Sequence, residues 1–215
     1  MPAASLLAGV AVAAIARVAE RTLPGAVPAL RVGLPLAAVL LSVWQDRQLY
    51  FAQSPIAISR AVYGADPYPE AVEVARYLRE RAGPDDRLAV IGSEPEIYFL
   101  SGLRAATSYL YVYPLMERQP FALRMQEEMI EQIERARPRF LVLVNVDNSW
   151  TRLPDSPTLL LDWSQKYVND HYEPVGMAEI APGRETVYHW DAAARDAAPR
   201  TRAFVATFRR RNASS

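Results

Sequence analysis

Two apolar blocks near the start of the sequence constrain this chain more than any other feature. Residues 3–16 (AASLLAGVAVAAIA) carry no charge, and residues 26–44 (AVPALRVGLPLAAVLLSVW) carry only Arg31. A bilayer core is crossed by about 20 apolar helical residues, so the second block is long enough and the first is marginal. We therefore predict one or two transmembrane helices within residues 1–48. A signal peptide for the first block and a buried core helix for either block are the alternatives.

Arginines beside the blocks predict which way the rest of the chain faces. Arg17 and Arg21 lie between the two blocks, and Arg31 lies near the start of the second one. Because basic residues favour the cytoplasmic side of a membrane, we expect the connection over residues 17–25 to be cytoplasmic. Everything after residue 50 is then outside the cytoplasm. The predicted location is the plasma membrane, which is the inner membrane of a bacterium.

Composition excludes several functional classes. The 215 residues have a formal net charge of zero, which does not favour a nucleic-acid partner. The absence of cysteine excludes disulfides, thiol catalysis and cysteine-ligated metals. His171 and His189 are the only histidines, and they fall in separate predicted elements. We predict neither a metal site nor another cofactor.

The outward part of the sequence has the pattern of an α/β domain over residues 67–208. A linker is expected over 49–66, because Pro55, Gly64 and Pro67 interrupt regular structure, and a disordered tail over 209–215. Alternating helices and strands predict a small parallel or mixed sheet flanked by helices. The predicted helices cover 69–83, 119–136 and 156–169. The predicted strands cover 88–91, 103–115, 139–146, a hairpin around Ala181-Pro182-Gly183-Arg184, and a last edge strand at 203–211.

The stretch IGSEPEIYFLSG, residues 91–102, follows the first predicted strand. A glycine-serine turn at this point can bind phosphate, but a single glycine does not make a phosphate-binding motif. Ser93 and Glu96 have the S-x-x-E spacing of a helix capping box. We therefore favour capping over a phosphate or acid/base role. We expect three residues of the following helix to pack inward: Ile97, Phe99 and Leu100.

A second polar segment, Asp147-Asn148-Ser149-Trp150, follows the strand predicted over 139–146. Ligands of open α/β sheets bind at the carboxyl ends of strands. With tyrosines from 103–115, this segment predicts an aromatic-lined cleft suited to a sugar, although strand tyrosines are also common as half-buried sheet residues. No catalytic residue is predicted. The candidate substrate-binding residues are Glu94, Tyr98, Tyr109, Tyr111, Asn148 and Trp150.

Two segments carry a resemblance to a known family: DDRLAVIGSEPEIYFLSGLRAATSYLYVYPL and MQEEMIEQIERARPRFLVLVNVDNSW. They resemble the C-terminal extracytoplasmic domain of bacterial GT-C-type membrane glycosyltransferases. These enzymes are similar to dolichyl-phosphate-mannose protein mannosyltransferases and lipid A aminoarabinose transferases. The resemblance covers roughly residues 26–190. It implies a small α/β domain after the last membrane helix, with membrane lipid and a polyprenyl-phosphate sugar donor as partners.

The resemblance also implies transfer of a sugar outside the cytoplasm, with an acidic catalytic residue in an early extracytoplasmic loop. This sequence has no counterpart of that loop. We therefore expect the C-terminal part of a glycosyltransferase, inactive alone, that acts with an upstream or separate catalytic membrane region. One alternative is a membrane-anchored extracytoplasmic binding module without catalysis. Another is a soluble α/β protein whose apolar blocks are a signal sequence and a core helix.

Overall fold

The computed structural model of the protein describes residues 2–22, 25, 27–181 and 183–211. The chain divides into two units, Met1–Ile58 and Ser59–Ser215. The first unit contains three helices: α1 (Pro2–Thr22), α2 (Val27–Gln45) and α3 (Arg47–Phe51). Helix α4 (Pro55–Tyr63) includes the division between the units.

Helix α2 carries the second apolar block. Over Pro28–Gln45 it is the single described helix that is long and apolar enough to cross a membrane, and none of this window is buried. A signal sequence or a core helix has the same length and composition. The first block lies in α1, where Arg17 and Glu20 follow it within the same helix. Length and composition thus distinguish the second block from the first.

The predicted linker over residues 49–66 is not irregular, because it contains the end of α3 and all of α4. Pro55 occupies the first position of α4, where a missing N–H costs no hydrogen bond. The Ser54 hydroxyl accepts a hydrogen bond from the Ala57 amide at 3.2 Å, as a helix N-cap does. Pro55, which was expected to interrupt regular structure, therefore begins a helix.

The second unit is an α/β fold with a mixed sheet of six strands in the order β2-β1-β3-β6-β4-β5. Strands β2, β1 and β3 are parallel, and the other neighbouring pairs are antiparallel. The strands are β1 (Arg87–Ile91), β2 (Arg104–Ala105), β3 (Phe140–Asn145), β4 (Tyr172–Ile180), β5 (Val187–Trp190) and β6 (Ala203–Arg210). The helices are α5 (Tyr68–Arg81), α6 (Pro95–Ser101), α7 (Tyr113–Met116), α8 (Ala122–Ala136), α9 (Asp147–Trp150), α10 (Leu159–His171) and α11 (Ala192–Arg195).

Helices cover both faces of the sheet. Residues of α5 and α6 pack with Leu88, Val90 and Val142 on one face. Residues of α8 and α10 pack with Ala89 and Leu141 on the other. Successive strand residues point to opposite faces, so β1 and β3 must be apolar at nearly every position. The predicted mixed sheet flanked by helices is confirmed.

Two strand predictions were wrong in extent or position. Within residues 103–115 only β2 is a strand. Helix α7 begins at Tyr113, and Pro114 lies in its first turn. The strand predicted at the edge, β6, lies between β3 and β4, where Val205 and Thr207 are buried. Arg209 and Arg210 belong to β6 and not to a disordered tail. Residues 212–215 of that tail and Pro182 of the hairpin lie outside the described residues.

A buried ion pair joins α4 to α5. The side chain of Glu70 is fully buried, and its Oε1 accepts hydrogen bonds from Arg60 and Thr186. Arg60 also donates to the Asp66 carbonyl at 3.0 Å. A buried carboxylate that loses its cationic partner is strongly destabilising. Loss of Arg60 should therefore reduce the stability of the fold.

We expect Arg60→Met to lower the free energy of unfolding by about 3–5 kcal/mol, because it leaves the Glu70 charge buried and unpaired. The matched control is Arg76→Gln, which removes an exposed arginine paired with Glu73 and Glu80 and costs about 1 kcal/mol or less. Urea denaturation followed by tryptophan fluorescence measures both. Equal losses in the two variants would contradict a special role for the buried pair.

Candidate functional site

The chain leaves the adjacent strands β1 and β3 toward opposite faces of the sheet. After β1 it enters α6, which packs on the face that α5 covers. After β3 it enters α9 and α10, which pack on the face that α8 covers. Adjacent parallel strands whose connections diverge leave a crevice at their carboxyl ends, where open α/β sheets bind ligands. The residues at this point, which we name the carboxyl-edge site, are Ser93, Glu94, Tyr113, Asn148 and Ser149.

Glu94 is the central side chain of the carboxyl-edge site. It is only 3% exposed, and its Oε2 accepts a hydrogen bond from the Ser149 hydroxyl at 3.0 Å. The Ser149 oxygen accepts in turn from the Ser93 amide at 3.0 Å. This chain of hydrogen bonds joins the segment after β1 to the segment after β3.

Gly92 makes room for this arrangement. A Cβ atom at residue 92 would collide with the Glu94 carboxylate and lie 2.8 Å from the Val144 Cβ and 2.9 Å from the Ser149 Oγ. The tight packing therefore requires glycine at this position, for reasons of space.

Burial changes the protonation of Glu94. Loss of hydration raises the pKa of the Glu94 carboxyl to about 8, and the nearby Glu96 adds to the increase, while the Ser149 hydrogen bond opposes it. The carboxyl is thus mostly protonated at neutral pH and able to donate a hydrogen bond as well as accept one. Burial also raises the pKa of Glu96, whose buried Oε1 has no hydrogen-bond partner among the described residues.

The expected capping box at Ser93 and Glu96 was wrong. Helix α6 begins at Pro95 with Glu94 in the N-cap position, and no side chain caps it. The Ser93 hydroxyl instead accepts a hydrogen bond from the Val112 amide at 3.2 Å. The Ser93 hydroxyl therefore binds the distant Val112 amide and does not cap α6, as the local spacing had predicted.

The inward packing of α6 was predicted only in part. Ile97 is fully buried, Leu100 is half-buried, and Phe99 is 85% exposed. A single helix face meets the sheet, and Phe99 lies on the opposite face. The stretch after β1 therefore combines a packing role for Ile97 with a polar cluster at Glu94.

Two tyrosines form an aromatic border beside the carboxyl-edge site. The Tyr113 hydroxyl donates to the backbone carbonyl of Asn148 at 2.5 Å, which fixes the ring next to the loop after β3. The Tyr111 ring lies against it, with centroids 4.3 Å apart, and remains 45% exposed. An exposed aromatic face beside polar groups suits a ligand with both apolar and hydroxyl surfaces.

Acidic groups lie within electrostatic range of this border. Burial raises the pKa of the Tyr68 hydroxyl, and Asp66, Glu96 and Glu94 raise it further. The pKa of Tyr113 is also raised, by burial first and then by Tyr111, Asp66 and Glu94. Acidic side chains therefore lie near the crevice, and they disfavour the binding of an anion wherever they are ionised.

The structure brings three of the predicted site residues to this edge. Glu94 and Asn148 belong to the carboxyl-edge site, and Tyr111 lies against Tyr113. Asn148 is exposed. These three residues come from three separate connections of the sheet.

The other three predicted site residues have structural partners. Tyr98 is 7% exposed, and its hydroxyl accepts a hydrogen bond from the Val90 amide at 2.7 Å. Trp150, also 7% exposed, donates its indole N–H to the Val144 carbonyl at 2.8 Å. Tyr109 donates to Glu128 on α8 at 2.6 Å, and burial together with that carboxylate raises its pKa to about 12. Tyr98 and Trp150 belong to the core, and Tyr109 joins its loop to α8.

Three further residues near the carboxyl-edge site were not among the predicted site residues. Asp66 and Tyr68 lie just before and within the start of α5, far from Glu94 in sequence. Ser93 carries a capping pattern that points to another role. Only tertiary structure brings these groups together, although a glycine directly followed by a serine at the end of β1 is a signal for a close backbone approach.

Two surface hollows flank the loop after β3. They measure ≈ 180 Å³ and ≈ 370 Å³, and both are lined by Asn145, Val146 and Asp147. Asn148 also lines the smaller one. Within the residues that the structure describes, no group of histidine, aspartate and glutamate side chains is arranged to hold a metal ion. The larger hollow is of a size for a small organic ligand.

The fold and the site define an α/β protein with a polar crevice at the point where its strand connections diverge. Comparison with protein-family models, with curated proteins and with solved structures found no match for this chain.

We expect the pH dependence of stability to reveal the buried proton of Glu94. The folded chain keeps this proton up to about pH 8, whereas the unfolded chain releases it near the ordinary pKa of 4.5. Between these values the folded state binds more protons, so stability falls as pH rises, by up to about 1.4 kcal/mol per pH unit.

Urea denaturation of wild type and Glu94→Gln at several pH values measures this effect, because the variant cannot titrate at this position. The stability of wild type relative to the variant should decline from about pH 4.5 to about pH 8 and then level off. Parallel pH profiles for the two proteins would show that Glu94 titrates normally.

Proposed function

We propose that this chain is the membrane-anchored, extracytoplasmic α/β domain of a glycosyltransferase of the class that its sequence resembles. In this proposal the domain binds a sugar-bearing ligand at the carboxyl-edge site and contributes no catalytic residue. The observation that carries the ligand class is the buried Glu94 carboxyl, whose pKa is raised by burial, near exposed tyrosine and asparagine side chains.

The chemistry of the carboxyl-edge site supports a neutral, hydroxylated ligand. A protonated carboxyl both donates and accepts hydrogen bonds, as the asparagine amide does, and sugar hydroxyls need both kinds of partner. The Tyr111 face provides an apolar surface for a sugar ring. The surrounding carboxylates Asp66 and Glu96 oppose the binding of an anion. A ligand pocket of this kind uses a few placed polar groups for orientation.

Helix α2 supports the proposed anchor. Large apolar side chains are exposed along it, including Val32, Leu36, Val39 and Leu41. Apolar side chains that find no cover in the protein are stabilised by the hydrocarbon of a bilayer. The arginines before α2 support an orientation with the α/β domain outside the cytoplasm.

A freestanding membrane-anchored binding module is the second candidate. It is favoured by the position of Glu94, whose carboxyl accepts a hydrogen bond from the buried Ser149 hydroxyl. Both candidates use the same ligand site and the same anchor. They differ in whether the chain supports sugar transfer when a catalytic membrane region is supplied.

We expect carbonate extraction of membranes to leave the wild-type chain in the pellet. The double variant Val39→Asp/Leu41→Asp should move to the soluble fraction, because each charge at the centre of a span costs about 2.5–3.5 kcal/mol. The matched control is Ile56→Asp/Val62→Asp, which places the same charges on exposed apolar positions of α4. Complete release of the wild-type chain would exclude an anchoring role for α2.

We expect the purified chain to bind members of a panel of methyl glycosides, measured by saturation-transfer NMR and calorimetry. Tyr111→Ala and Asn148→Ala should each weaken binding by about tenfold, because each removes a ligand contact worth about 1.4 kcal/mol. Phe99→Ala is the control, since this equally exposed class of side chain lies on α6 outside the site. Equal affinities in all three variants would place the ligand elsewhere.

A further inference from the structure

We propose that the opposite edge of the sheet, at the start of β1 and β3, binds a ligand that bears phosphate groups. This inference is independent of the proposed function, because it uses none of the residues of the carboxyl-edge site. The observation that carries it is a row of arginines at matching register positions, of which three lie on β2, β1 and β6 and the fourth directly precedes β3. We name Arg104, Arg87, Arg139 and Arg210 the arginine row.

The strand register places the arginine row side by side. Arg87 pairs with Arg104 of β2. Arg87 and Arg139 each precede a paired residue, since Leu88 of β1 is opposite Phe140 of β3. Phe140 is opposite Arg209 in the antiparallel pair, so Arg139 is opposite Arg210, whose amide donates to the Arg139 carbonyl at 2.9 Å.

Residues directly opposite each other across strands lie on the same face, and neighbouring strands are about 4.8 Å apart. Like charges in such positions destabilise a sheet unless another group neutralises them. Arg87, Arg139 and Arg210 share the lining of one hollow, so an anion bound there would meet several positive charges, whereas Arg104 lines a separate hollow.

A hollow of ≈ 380 Å³ opens at this row. It is lined by five arginines against two aspartates, with Arg137 and Arg211 added to three members of the row. Asp86 is already engaged, since its carboxylate accepts a hydrogen bond from the Gly83 amide at 2.9 Å. The formal net charge of the chain is zero, so this concentration of positive charge is local.

Two arginines of the hollow, Arg210 and Arg211, are positioned by neutral groups. Arg210 donates to the Tyr167 hydroxyl at 3.1 Å and lies over the Tyr172 ring. Arg211 donates to the backbone carbonyls of Asn169 and Asp170. Among the described residues, no salt bridge involves Arg87, Arg137, Arg210 or Arg211. Their positive charge is oriented and not neutralised by a neighbouring carboxylate.

Phosphate is the anion that this geometry fits best. A guanidinium donates two parallel hydrogen bonds to a phosphate, and several guanidiniums in a row match several phosphate oxygens. A second hollow of ≈ 690 Å³ adjoins the first through Arg87 and Ala136, and its lining adds the hydroxyls of Thr107 and Ser108. The combined surface accommodates a pyrophosphate group with a further polar moiety.

The experiment uses the full chain in non-ionic detergent, titrated calorimetrically with inorganic pyrophosphate. We expect Arg87→Gln/Arg137→Gln to weaken binding by about tenfold or more, because the change removes two guanidiniums that would donate charge-assisted hydrogen bonds to the anion. The charge-matched control Arg118→Gln/Arg124→Gln removes two exposed arginines that are paired with Asp155 and Glu128, and its affinity should equal that of wild type.

A second arm distinguishes a soluble phosphate ligand from a lipid headgroup. The chain is placed in nanodiscs of phosphatidylcholine, with or without phosphatidylglycerol, and titrated again. Loss of pyrophosphate binding only in discs with phosphatidylglycerol assigns the site to a lipid headgroup, and unchanged binding assigns it to a soluble anion. The proposal is overturned if pyrophosphate does not bind in detergent or in phosphatidylcholine discs, or if both double variants lose the same affinity.

Discussion

The parallel pairing of β1 with β3 is the constraint on which both edges of the domain depend. Because the pairing is in register from Leu88–Phe140 to Ile91–Leu143, the residues that precede the two strands meet at one end and those that follow meet at the other. At one end this unites Arg87 with Arg139. At the other it unites Glu94 with Ser149, which are 3.0 Å apart through their side chains. One register thus produces two polar surfaces of opposite electrostatic character.

Sequence patterns predicted the elements that carry a strong local period. The helices α5 and α8 and the strands β1 and β3 follow from amphipathic spacing and continuous apolar runs. The capping box at Ser93 failed because the Val112 amide, 19 residues away, uses the same hydroxyl. The central position of β6 was missed because alternation indicates a strand and says nothing about its neighbours. Glu94 was included as a candidate, but its pKa depends on burial that only packing creates.

The buried side chains of Glu70 and Glu94 have different surroundings. Glu70 is paired with Arg60 and hydrogen-bonded to the Thr186 hydroxyl. Among the described residues, Glu94 is in no salt bridge and accepts a hydrogen bond from the Ser149 hydroxyl, and burial raises its pKa to about 8, which favours the neutral form. These two buried glutamates therefore have different roles. Glu70 stabilises the fold through its ion pair with Arg60. Glu94 places a carboxyl group with a raised pKa at the carboxyl-edge site.

The position of β6 has a consequence for how the domain acquires its structure. Strands β4 and β5 have no hydrogen-bonded neighbour in the β2-β1-β3 group, and β6 bridges the two groups although it follows both in sequence. The hairpin of β4 and β5 must therefore wait for a later segment before it joins the sheet. Non-local pairing of this kind slows folding, because a long loop closes before the contact forms. A chaperone that binds extended apolar segments would find β3 and β4 unpaired along one side during this interval.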